Sequence, residues 1–179
     1  VGAKPRRTIR VALWSGEEQG LIGSADYVAK HFAAYPEPKD PAEAKLPSFF
    51  RQDKGELQRK PEYERLSAYF NVDNGSGKIR GVYAEGNFAA APILKEWLAP
   101  FASLGATTVV AEPTGSTDHV FMVKLGLPAF QFIQDPLDYG STTHHTNLDT
   151  FDHVRTDDLR QAAVVLASVL LDAADSEKP

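Results

Sequence analysis

Short apolar, β-branched runs alternate along this chain with longer runs whose apolar residues recur at helical spacing, and that alternation restricts the fold more than any other feature. Residues 8–15 (TIRVALWS) are apolar and β-branched and stop at Gly16, the pattern of a buried strand. Residues 20–32 follow with Leu21, Ala25, Val28 and Phe32 on one helical face. Further strands are predicted at residues 67–72 (SAYFNV), 79–84, 107–111 and 129–133. Further helices are predicted at residues 92–104 and 117–125 and from Thr156 onward. Pro92 suits a first helical turn and Gly126 a helix end. Thr156 suits a cap, with Asp157 and Asp158 behind it where the helix dipole favours negative charge. The alternation predicts an α/β fold: a three-layer α/β/α sandwich around a mixed, largely parallel central sheet. Residues 34–64 break the pattern. They are rich in Pro, Lys and Glu and poor in aliphatics, so they read as a polar insertion or lid, with Phe49 and Phe50 its one apolar spot. A chain of 179 residues fits a single domain, residues 1–179 with that insertion.

Composition narrows the partners. A net charge of -5 with no basic stripe argues against nucleic acid, because phosphate contacts need a basic face. No apolar run approaches the roughly 20 residues that span a bilayer. The chain has no cysteine, so a bound metal must be held by His, Asp and Glu, a ligand set that suits zinc, manganese or magnesium.

In open α/β sheets ligands bind at the carboxyl ends of the strands. That rule gathers Glu17 and Glu18, Asp73, and the loop after Ile133, which are far apart in sequence. Two adjacent carboxylates cannot both enter an apolar core unpaired. One can hold a metal while the other takes the proton of a metal-bound water; the plainer role is an acidic pair at a helix N-terminus. Asp73 can be a ligand or a turn aspartate before Asn74-Gly75. His144 and His145 lie side by side in a polar loop, where an imidazole is a common zinc ligand and Asp149 can orient it. Asp118 can cap the short helix that follows, and His119 can sit in the core or brace the site from below. His31 and His153 carry no assigned function.

Together these segments resemble the co-catalytic zinc aminopeptidase and glutamate carboxypeptidase family. The resemblance rests on Ser15-Gly16-Glu17-Glu18-Gln19-Gly20-Leu21-Ile22-Gly23-Ser24, Asn71-Val72-Asp73, Ser116-Thr117-Asp118-His119 and His145-Thr146-Asn147-Leu148-Asp149-Thr150. Residues 66–81 are most similar to the plasma glutamate carboxypeptidase-like branch. By position, the resemblance implies that Glu17 is the general base and that Glu18, Asp73 and His145 are zinc ligands. It places Asp118, His119 and Asp149 around them or against substrate, and His144 in the less favoured slot. It implies two zinc ions about 3.5–4 Å apart in the full-length enzyme. It also implies a peptide or dipeptide substrate and an exported, extracytoplasmic location.

The resemblance further implies a histidine and a bridging aspartate upstream of the first strand, yet no histidine occurs before His31. The expectation is therefore a C-terminal portion of a catalytic domain with its N-terminal strands missing. Such a chain would be inactive alone and could self-associate through an uncovered sheet edge. Two other readings are a glutaminyl cyclase-like single-zinc enzyme and a non-catalytic peptidase-like module. With only part of the ligand set, the isolated chain is predicted to bind zinc weakly or not at all; calorimetric titration checks this, and a submicromolar affinity contradicts it.

Overall fold

Strand β6 (Ala129–Gln134) is the centre of the molecule because both its faces are buried. Phe130 and Phe132 point to one side of the sheet, and Ala129 and Gln131 to the other, the period-two alternation of a strand covered on both faces. The computed structural model describes residues 2–46, 50–52, 55–115 and 117–177.

Around β6 the main sheet has the order β3 (Tyr69–Asn71), β6, β4 (Ile79–Tyr83), β5 (Thr108–Val110). The β3–β6 and β4–β5 pairs are parallel and the β4–β6 pair antiparallel, so the sheet is mixed and mostly parallel. On one face lie α3 (Ala91–Leu98) and α5 (Thr156–Asp175), whose Leu94, Leu98, Val165 and Val169 pack on Ile79, Val82, Phe130 and Phe132. On the other lie α1 (Ile22–His31) and α4 (Val120–Lys124), where Val28, Phe32 and Met122 pack with Leu127 and Ala129. This is the three-layer α/β/α arrangement. Residue 156 is the first residue inside α5; Arg155 holds the cap position, and no side chain caps the helix.

The predicted insertion is anchored at both ends. β1 (Ala33–Ala34) pairs antiparallel with β2 (Gln58–Arg59), and α2 (Pro41–Ala44) is a single turn whose Ala42 N–H donates to the Asp40 carboxylate at 2.9 Å. Phe50 is exposed, and Phe49 lies outside the described residues. No helix among the described residues is long and apolar enough to cross a membrane.

One expectation is overturned. Residues 8–15 have no regular secondary structure and form no ladder among the described residues, and Val11 and Leu13 are 80% and 93% exposed. A strand is made by its neighbours, and among the described residues no strand pairs with this segment. A cavity of about 570 Å³ separates it from the outer edge of β3, lined by Ile9, Ala12, Trp14, Tyr69, Phe70 and Leu170. The segment is held at its ends. Arg7 N–H donates to the Ala174 carbonyl at 3.1 Å, and the Trp14 indole donates to the Tyr69 hydroxyl at 2.9 Å.

This burial pattern predicts opposite outcomes for two apolar truncations. Phe132→Ala should cost about 3–5 kcal/mol of stability, whereas Leu13→Ala should stay within about 0.5 kcal/mol of wild type; urea unfolding measures both.

Candidate metal and peptidase site

The turn at the end of residues 8–15 brings Glu17 and Glu18 into position. Gly16 adopts φ +67°, open to glycine, and reverses the chain. Ser15, Gly16 and Glu17 carbonyls then accept the N–H groups of Gly23 (2.8 Å), Ile22 (3.0 Å) and Leu21 (2.8 Å). Gly23 is needed for this closure, since a Cβ there would lie 2.7 Å from the Ser15 carbonyl oxygen. The two carboxylates therefore sit on a tight loop leading into α1.

Asp73 follows β3, and Asp118 precedes α4. Carboxylate oxygens of Glu17, Asp73 and Asp118 all lie within 4.8 Å of one another. Burial, then the neighbouring charges of Asp73, Glu18 and Asp118, push the Glu17 carboxyl above the usual range; His145 opposes this. Burial also raises Asp118, which accepts a hydrogen bond from Ser24 Oγ that opposes the shift. Crowded carboxylates with raised affinities for protons are the electrostatic condition that a divalent cation relieves. The donor set, all hard oxygen with an imidazole nearby, suits zinc.

His145 comes from the loop after β6. A single wide helical turn, Tyr139–Thr143, ends with the His144 N–H donating to the Tyr139 carbonyl at 2.9 Å. His145 itself adopts φ +57°, an unusual conformation for a non-glycine residue. Its Nε2 lies 2.9 Å from Glu18 Oε2, and both side chains are exposed. His144 packs on the rings of Tyr139 and His145 instead. Asp149 closes the loop through its N–H to the Thr146 carbonyl at 3.3 Å; among the described residues its carboxylate bonds to neither histidine.

His119 is fully buried, its Nε2 3.1 Å from Glu85 Oε1, although the N–H does not point along a hydrogen-bond line. Burial lowers its pKa against the pull of Glu85, which favours a neutral ring beneath Asp118.

The family assignment rests on the whole chain. The model of Peptidase family M28 matches residues 1–170. The chain belongs to this family. Carboxypeptidase Q of Rattus norvegicus is 26% identical over 178 residues, covering 99% of this chain and 31% of that protein, and human Carboxypeptidase Q matches with the same identity and coverage. The chain thus spans about a third of the length of these curated relatives. Among solved structures, a Peptidase M28 precursor from Shewanella amazonensis superposes with TM-score 0.71 at 24% identity over 99% of this chain and 34% of that one. A zinc aminopeptidase from Bacillus subtilis superposes with TM-score 0.59 at 20% identity over 92% of this chain and 35% of that one. These likenesses establish the α/β peptidase fold.

Within this M28 fold the site includes residues that the sequence reading passed over. Thr117 Oγ1 donates to Asp73 Oδ2 at 2.6 Å, Ser24 Oγ donates to Asp118, and Tyr139 lies within electrostatic range of the carboxylates. Burial, then Asp73, Glu18, Asp149 and Glu17, raises the Tyr139 pKa and keeps the phenol neutral. Asn71 gave a usable signal, a carboxamide inside an apolar strand that must find partners.

Asp118 yields a pH-dependent test. Its pKa is higher in the folded chain than in the unfolded one, so stability falls as pH rises from the ordinary aspartate range through the raised value and is flat above it. Asp118→Asn in chelator-treated protein should therefore raise the melting temperature at pH 7, with a smaller gain at pH 4. An equal shift at both pH values counts against the charge as the cause.

Proposed function

We propose that this chain carries the base and metal-holding residues of a zinc-dependent exopeptidase, one that removes a terminal residue or splits a dipeptide. The observation that carries the reading is Glu17 within 4.8 Å of Asp73 and Asp118, its carboxyl pushed up by burial and neighbouring charge, beside the Glu18–His145 contact of 2.9 Å. A carboxylate raised towards neutrality is matched to moving a proton at physiological pH.

In this reading Glu18, Asp73 and His145 hold zinc, with Asp118 close enough to join or to brace Asp73. Bound zinc supplies Lewis acidity, lowering the pKa of a water and polarising a scissile carbonyl. Glu17 accepts the proton of the attacking water and returns it to the leaving amine. Tyr139, a phenol kept neutral by burial and the charge of the nearby carboxylates, offers a hydrogen bond towards the substrate. Membership of the M28 family supports a hydrolase, and the zinc aminopeptidase of B. subtilis supports the metal. The reading includes an extracytoplasmic enzyme and self-association through an uncovered sheet edge.

Glu17→Gln in the full-length protein should lower kcat by about 10²–10⁴-fold on a peptide substrate while zinc content stays at the wild-type level. Turnover at the wild-type rate with zinc bound would refute Glu17 as the base.

A further inference from the structure

Asp73 is the last acceptor in a line of hydrogen bonds that starts across the sheet edge. The Trp14 indole N–H donates to the Tyr69 hydroxyl at 2.9 Å. Tyr69 Oη–H donates to Asn71 Oδ1 at 2.6 Å. Asn71 Nδ2 donates to Thr117 Oγ1 at 3.1 Å and to Gln131 Oε1 at 2.7 Å. Thr117 Oγ1–H donates to Asp73 Oδ2 at 2.6 Å. The chemistry of the two ends fixes the direction. An indole only donates and a carboxylate only accepts, so each hydroxyl and amide between them is forced to donate towards Asp73. Gln131 is locked as well, because its Nε2 donates to the Phe132 carbonyl at 3.1 Å, leaving its oxygen for Asn71.

The line runs through the interior: Asn71 is 6% exposed, Thr117 5% and Gln131 0%. Aligned donors in a low-dielectric setting polarise one another and strengthen the last bond, the one to the carboxylate. Burial pushes the Tyr69 phenol up to about 12, so its proton is present at any physiological pH.

We propose that Tyr69, Asn71 and Thr117 are positioning residues: a single-direction relay that fixes the plane of the Asp73 carboxylate and leaves its other oxygen for the metal. The proposal rests on the metal reading of the site given above. The relay also ties Asp73 to Trp14, three residues before Glu17, so the two halves of the site are set by one hydrogen-bonded line.

The test is zinc titration of the full-length protein by calorimetry, together with NMR of the Trp14 indole N–H in chelator-treated protein. Thr117→Val is close to isosteric and removes the hydroxyl that donates to Asp73. It should weaken zinc binding by about tenfold or more and move the indole resonance, and Thr117→Ser should restore both. Wild-type affinity with an unmoved indole in Thr117→Val overturns the relay. Tyr69→Phe keeps the ring and breaks the line at a residue that bonds to no proposed ligand, so it carries the test if Thr117→Val does not fold; wild-type affinity in Tyr69→Phe overturns the relay in that case. A wild-type protein that binds no zinc, with the indole still moved by Thr117→Val and restored by Thr117→Ser, refutes the metal reading and supports the relay.

Discussion

The parallel pairing of β3 with β6 is the constraint on which the rest of the molecule depends. Its register sets Tyr69 against Ala129, Phe70 against Phe130 and Asn71 against Gln131. Phe70 then joins Phe130 and Phe132 in the core under α3 and α5, while Asn71 and Gln131 meet on the opposite face and satisfy each other. A one-residue slip of β3 against β6 would turn Asn71 into the apolar core and bring Phe70 to the polar side, away from Phe130 and Phe132. The same register delivers Asp73 to the carboxyl end of the sheet, where Thr117 and Asp118 arrive from the start of α4. β3 is hydrogen-bonded on one side alone among the described residues, since its outer edge faces the cavity next to residues 8–15.

Electrostatics then separates the site into two parts. Glu17, Asp73 and Asp118 form a crowded acidic group in which burial and like charge push the Glu17 and Asp118 carboxyls up. Glu18 and His145 form a separate, exposed pair at 2.9 Å. The tight turn at Gly16 and Gly23 decides this division, because it sends neighbouring carboxylates in different directions, one into the group and one to the histidine loop. Beneath them, burial keeps His119 neutral, so the floor of the site adds no full positive charge to compete for the carboxylates.

Much of this was legible in the sequence. The strand-end rule gathered Glu17, Glu18, Asp73 and the loop after β6, and periodicity located every strand of the main sheet to within about two residues. Residues 8–15 show where the rule stops. Their β-branched pattern reports that a side is suited to burial, and it carries no information on whether a partner strand is there to supply it. Thr156 failed as a cap because Arg155 already has the extended conformation of that position, φ -92° and ψ 119°. The line from Trp14 to Asp73 was not legible at all. Its bonds join residues as far as 55 apart, Trp14 to Tyr69, and bonds such as Asn71 to Thr117 depend on register and rotamer, which leave no periodic trace.

The account stands on the claim that these side chains are a zinc site. A crystal structure of the full-length protein grown with zinc, with anomalous scattering recorded at the zinc edge, tests that claim most directly. The account predicts anomalous density bonded to Asp73 and at the Glu18–His145 pair, with Glu17 beside it and not within bonding distance. Zinc density bound elsewhere, with the Glu17, Asp73 and Asp118 carboxylates meeting only water, would contradict it.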